Sequence, residues 1–87
     1  MTLSLGRVVL VPAGEQAQAG RRVEAEGDRL MLAAGEPWSV ASADAELIET
    51  SACGTYLRVG RPTEARAGEQ PPVALEPGLY QVVRTRP

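Results

Sequence analysis

The chain predicts an all-β fold, a small antiparallel barrel or sandwich of about seven to nine short strands. Three observations carry this expectation. The apolar runs are short and rich in Val and Leu, Gly and Pro punctuate them at close spacing, and several runs alternate with a period of two. The 87 residues are expected to form a single β domain spanning 1–87.

Leu5 to Val11 (LGRVVLV) is a β-branched-rich run closed by Pro12, the pattern of a strand buried on both faces. Residues 13–20 (AGEQAQAG) read as a Gly-bounded loop or a single helical turn. The next stretch, RRVEAE-GD-RLMLA, carries the clearest local signal, because Gly27-Asp28 is a favoured two-residue hairpin loop. Its register pairs Glu26 with Arg29, Ala25 with Leu30 and Val23 with Leu32. Val23, Ala25, Leu30 and Leu32 then share a core face, while Arg22, Glu24, Glu26 and Arg29 share a charged one. A helix over Glu15–Ala34 competes on propensity, but Gly20 and Gly27 interrupt it.

Trp38 to Ser42 reads as a short strand with Trp38 and Val40 on one face. Ala45 to Thr50 fits a strand or one helical turn, and Ser51 to Gly54 a turn. Thr55 to Val59 follows as a strand, Leu57 and Val59 facing one way, Tyr56 and Arg58 the other. Arg61-Pro62 marks an edge or the start of the next strand. Gly68 to Pro72 is a loop and Pro72 to Leu75 a short strand. Glu76 to Leu79 has Pro and Gly where a type II turn needs them, and Leu79 to Thr85 is the last strand.

Composition limits the chemistry. The chain has no His and no Lys, so Ser-His-Asp, Cys-His, Schiff-base and P-loop arrangements have no residues to build them. Zinc sites lose their usual nitrogen ligand, and the single Cys53 supplies neither a disulfide nor a thiolate cluster. No base adjoins Cys53 in sequence to activate it. Glu24, Glu26 and Asp28 alternate as hard-cation ligands could, yet Arg22 and Arg29 flank them, and cross-strand ion pairs explain the pattern better. The expectation is a chain that is not an enzyme and carries no catalytic residue, no metal site and no cofactor.

Charge is unevenly placed. The net −2 combines a basic start, an acidic stretch over 23–50 holding seven acids against Arg29, and a basic end. That arrangement fits solvated faces of mixed sign, or complementary patches docking between copies or onto a partner. Arg58, Arg61, Arg66, Arg84 and Arg86 with Tyr56 and Tyr80 are candidates for a base-stacking groove. A pI near 5.1, the missing Lys and the scarcity of aromatic residues weigh against nucleic-acid binding. Neither a signal peptide nor an apolar membrane span is indicated, so a cytoplasmic location is expected. Arg in place of Lys, with abundant Ala, Gly and Pro, points to a GC-rich bacterial or phage genome.

Several segments together resemble a small, largely uncharacterised family of bacterial and phage β-domains. They are Tyr56-Leu57-Arg58-Val59, Pro72-Val73-Ala74-Leu75, Glu76-Pro77-Gly78-Leu79-Tyr80 and Val82-Val83-Arg84. Arg7–Pro12 and Arg29–Glu36 are similar too. Members of that family follow the Gly-Glu step with Gly-His-Ala-His, where this chain has Pro37-Trp38-Ser39-Val40, and a second His pair is missing around Glu64–Gln70. If those histidines serve a metal in relatives, the site does not carry over. Trp38 then reads as an indole filling a former ligand-bearing pocket, its N–H seeking a neighbouring carbonyl or Glu36. It either plugs one end of the fold or stands as an anchor at an interface.

The aliphatic interior is small. Each fully buried side chain contributes roughly 1.5–3 kcal/mol, against an ordering cost of roughly 1–2 kcal/mol per residue. So thin a margin favours self-association or a partner. The expected function is a protein-interaction or structural module, a homo-oligomer or small component of a bacterial or phage assembly. The alternative is a small-molecule or ion-binding domain degenerated from a His-bearing site. Glu36, Trp38, Tyr80 and Arg84 are the candidate binding residues, with a protein partner or a second copy, no nucleic acid and no membrane.

Overall fold

The computed structural model describes residues 2–13, 20–33, 35–50 and 54–84. Among these it holds ten strands and no helix. The strands are β1 (Leu3–Leu5), β2 (Val8–Pro12), β3 (Arg21–Arg22), β4 (Arg29–Met31) and β5 (Ser39–Ala41), then β6 (Ala45–Thr50), β7 (Gly54–Val59), β8 (Thr63–Ala65), β9 (Val73–Leu75) and β10 (Gly78–Arg84). The all-β expectation holds, with slightly more and shorter strands. Most of the expected 13–20 loop, and residues 51–53 with Cys53, lie outside the described residues.

One sheet has six strands in the order β1-β2-β10-β7-β6-β3, every neighbour antiparallel. The ladders β4–β5 and β8–β9 are joined by Ser39 and Arg66, which exchange two backbone hydrogen bonds of 2.9 and 2.8 Å. Leu30, Leu32, Val40, Ala65, Ala67 and Leu75 from this side pack in one core cluster with Leu5, Leu10, Leu47 and Leu57 of the large sheet. The sheets do not close on themselves. The arrangement is sandwich-like, and the barrel alternative falls.

Three local expectations are corrected. The run Leu5–Val11 is not one strand: Gly6 and Arg7 turn the chain, and Leu5 pairs with Val8, Ser4 with Val9 and Leu3 with Leu10. Gly6 has φ +64°, at the first central position where a type II′ turn takes glycine. Burial along β2 consequently alternates, Val8 and Leu10 buried, Val9 and Val11 only partly so.

At Gly27-Asp28 the turn forms as expected, with Gly27 at φ +65° and reciprocal Glu26–Arg29 hydrogen bonds of 2.8 and 3.2 Å. The ladder stops there. Arg21 and Arg22 pair with Glu49 and Ile48 of β6, and the Val23 N–H donates to the Leu47 carbonyl, while Leu30 pairs with Val40. The two arms thus enter different sheets. Their core face is nevertheless as read: Leu30 and Leu32 are buried, and Val23 and Ala25 pack partly buried against the same cluster. Both arms face one interior, so alternation survives the wrong pairing.

The third correction concerns Glu76–Leu79. Gly78 has φ +149° and already belongs to β10, so the chain bends at Pro77 instead of forming a type II turn, which requires about +80° there. At the adjacent corner, the Tyr80 hydroxyl donates to the Glu76 carbonyl at 2.8 Å. That bond ties the start of β10 back onto the preceding segment, in the manner of a tyrosine corner.

Candidate functional site

Trp38 sits just before β5, its ring in the core and only 7% of the residue exposed. The sequence favours this placement because Pro37 breaks regular pairing before the indole, and Val40 continues the inward face at 0% exposure. The Leu32 N–H donates to the Trp38 carbonyl at 3.0 Å, fixing the residue against the end of β4. The ring is therefore core, not a solvent-exposed anchor.

One edge of the indole is different. Among the described residues Nε1 makes no hydrogen bond to a carbonyl or to Glu36, contrary to expectation. Yet no buried side-chain nitrogen or oxygen among the described residues is left unpaired. Both statements hold only if Nε1 keeps an opening to solvent. Trp38 also lines a groove of about 420 Å³ together with Gly6, Arg7, Gly35, Glu36, Pro37 and Gln70. Gly6 flanks the donor: a Cβ built there would lie 3.4 Å from Nε1.

Of the four candidate binding residues, Glu36 and Trp38 come together in this groove. Arg84 is exposed at the same end of the sheet, opposite Val8 in register, but it does not line the groove. Tyr80 lies opposite Pro12 and Leu57, four residues back along β10, about 13 Å away at strand rise. Its ring is buried and its hydroxyl is spent on the Glu76 carbonyl, so it is a structural residue. The lining residues that sequence reading missed are Gly6, Arg7, Gly35, Pro37 and Gln70. The signal for the first two was present, because Gly-Arg between LSL and VVL is a two-residue hairpin loop.

A second cleft, of about 440 Å³, opens where the Gly27 hairpin arms diverge. Val23, Ala25, Leu30 and Ala45 line it below Arg22 and Arg58. Its charges are largely engaged within the chain. Arg22 pairs with Glu46 at 3.1 Å, Arg61 with Asp44 at 2.8 Å, and beside the cleft Arg21 pairs with Glu49 at 3.5 Å. The basic and acidic stretches of sequence thus meet across strands of one copy, which removes the need for docking between copies to explain them.

Other expected arrangements do not form. Arg29 donates to Ser39, Nε to Oγ at 3.1 Å and Nη2 to the carbonyl at 2.9 Å, and Arg22 goes to Glu46. Glu24, Glu26 and Asp28 therefore take no ion pair from either arginine, and among the described residues no acidic group is placed to hold a metal. Tyr56 and Tyr80 are both 8% exposed, which withdraws the aromatic faces a base-stacking groove needs. No protein-family model matches the chain, and no curated protein or solved structure matches it.

Proposed function

We propose that the chain is a non-enzymatic protein-interaction module, acting as a component of a bacterial or phage assembly. The observation that carries this reading is Trp38: the residue is 7% exposed, yet it lines an open groove together with Arg7, Glu36 and Gln70. A buried indole normally finds an acceptor within its own fold. Here the N–H is open to water, which an acceptor on a partner would displace.

The small core supports the same reading, since contact with a second surface adds stability that binds only the native state. The test combines sedimentation over a wide range of protein concentration with chemical cross-linking in extract of the source organism. The expected result is a discrete complex of defined stoichiometry, weakened when Trp38 is replaced by Phe. A monomer in both experiments overturns the reading. The small-molecule alternative predicts instead a saturable change in the single-tryptophan fluorescence on adding low-molecular-weight extract.

A further inference from the structure

We propose that the outward face of the β4–β5 and β8–β9 ladders binds a lone carboxylate of a partner protein, gripped by Arg29 with Ser39 and Arg66 beside it. This rests on the interaction reading above and adds the chemistry of the partner.

Alternation brings the three side chains together. Leu30, Val40, Ala65 and Ala67 point into the core, so Arg29, Ser39 and Arg66 point outward. Ser39 and Arg66 face each other across the junction of the two ladders, exchanging both backbone hydrogen bonds, and directly opposed residues share a face. Arg29 reaches over from β4: its Nε donates to Ser39 Oγ at 3.1 Å and its Nη2 to the Ser39 carbonyl at 2.9 Å.

Those two bonds occupy one edge of the guanidinium. The other edge, Nη1 with the second N–H of Nη2, keeps its fork intact. Among the described residues the Arg29 side chain bonds to Ser39 alone and makes no ion pair. A half-buried positive charge is therefore held in place by neutral acceptors, with no carboxylate of its own. The planar fork of arginine matches a carboxylate in two parallel hydrogen bonds. Fixed beforehand, it loses little freedom on binding.

Charge selects the anion. Arg66 shares its charge with Glu64 at 2.9 Å, which leaves Arg29 as the uncompensated cation of this face. A single carboxylate balances it, whereas a phosphate monoester, at about −1.5 to −2, is left in excess. A polyanion would also meet Glu24, Glu26 and Asp28 on the adjoining turn, which take no ion pair among the described residues. The same acids disfavour a second copy. They adjoin Arg29 in sequence, so bringing them to another copy's Arg29 sets the acids of both copies side by side. The occupant is thus one Asp or Glu in an otherwise uncharged stretch of the partner.

The Arg29 Nε–H gives the test its signal in ¹⁵N-labelled full-length protein, assigned by its loss in Arg29→Lys. The probe is the tripeptide Gly-Asp-Gly, acetylated and amidated at its ends. The matching Gly-Asn-Gly peptide and sodium phosphate are the controls, all at constant ionic strength. The expected result is a saturable shift with the Asp peptide and none with the Asn peptide. Glu64→Gln should tighten binding about threefold, because it releases Arg66 from a surface ion pair. Glu64 is exposed, so this variant should fold, and a merely structural Arg29 predicts no such gain.

No saturable shift with the Asp peptide overturns the proposal, as does an equal shift with the Asn peptide. A stronger response to phosphate overturns it too, making this a phosphate site. A signal that moves with protein concentration alone assigns the face to a second copy, with the same consequence. Failure here with a complex still seen by cross-linking leaves the interaction reading intact at another surface. Asp-peptide binding without any complex keeps the carboxylate site and sinks the interaction reading.

Discussion

At Gly6 the backbone and the neighbouring indole impose separate demands, and Gly27 allows them to be told apart. Both glycines sit at nearly the same φ, +64° and +65°, in two-residue turns. A Cβ at Gly27 would meet nothing within 4 Å, whereas at Gly6 it would meet Trp38 Nε1. Gly27→Ala should therefore cost about 1–2 kcal/mol from conformation alone and leave tryptophan emission unchanged. Gly6→Ala should cost at least as much and also alter that emission, read by fluorescence alongside urea denaturation. At Tyr80 the hydroxyl bond to Glu76 spans a corner and is made by a residue 8% exposed. Tyr80→Phe should lower stability by about 1 kcal/mol without affecting the groove, since the two lie at different ends of β10. The sequence placed Tyr80 and Trp38 in one candidate set, and composition holds no information about which end of a strand each occupies.

Among the elements, side-chain alternation proved legible and strand pairing did not. Val23, Ala25, Leu30 and Leu32 were assignable to the core because a period of two depends only on local backbone geometry. Which strand lies beside Arg21–Arg22 depends on β6, more than twenty residues away, and no local pattern in RRVEAE encodes that choice. Gly20 marks the pairing that does occur. A Cβ there would lie 2.6 Å from the Glu49 carbonyl and 2.9 Å from Ile48 Cγ2, so the backbone just before β3 approaches β6 too closely for any side chain. Backbone cannot yield as a flexible side chain can. Gly20→Ala should destabilise by about 1–3 kcal/mol, the usual cost of overpacking, and should lower amide-exchange protection at Val23, whose N–H bonds to Leu47. An effect no larger than that of an exposed loop substitution would show that the edge strand adjusts freely.

At the scale of the molecule, the last strand completes the first sheet. β10 lies between β2 and β7 and pairs with both: Val82 faces Leu10 on one side and Thr55 on the other. Without it, β1–β2 has no sheet partner left, because β2 touches β10 and β1 only. An isolated two-stranded hairpin is at best marginally stable in water. The interior would also lose Tyr80 and the packing of Val82 against the core cluster. Long-range pairing of this kind must wait for loop closure, which makes folding slow compared with helical domains of the same length. A chain ending at Glu76 should therefore lack a cooperative unfolding transition and show collapsed amide dispersion in a ¹⁵N–¹H spectrum. Adding back a synthetic peptide covering 77–87 should restore dispersion, because the edges of β2 and β7 supply a ready template for strand addition. A cooperative transition in the truncated chain alone would mean that β6 and β7 with the smaller ladders fold independently of β10, and that the six-stranded sheet is not the unit that holds the groove in shape.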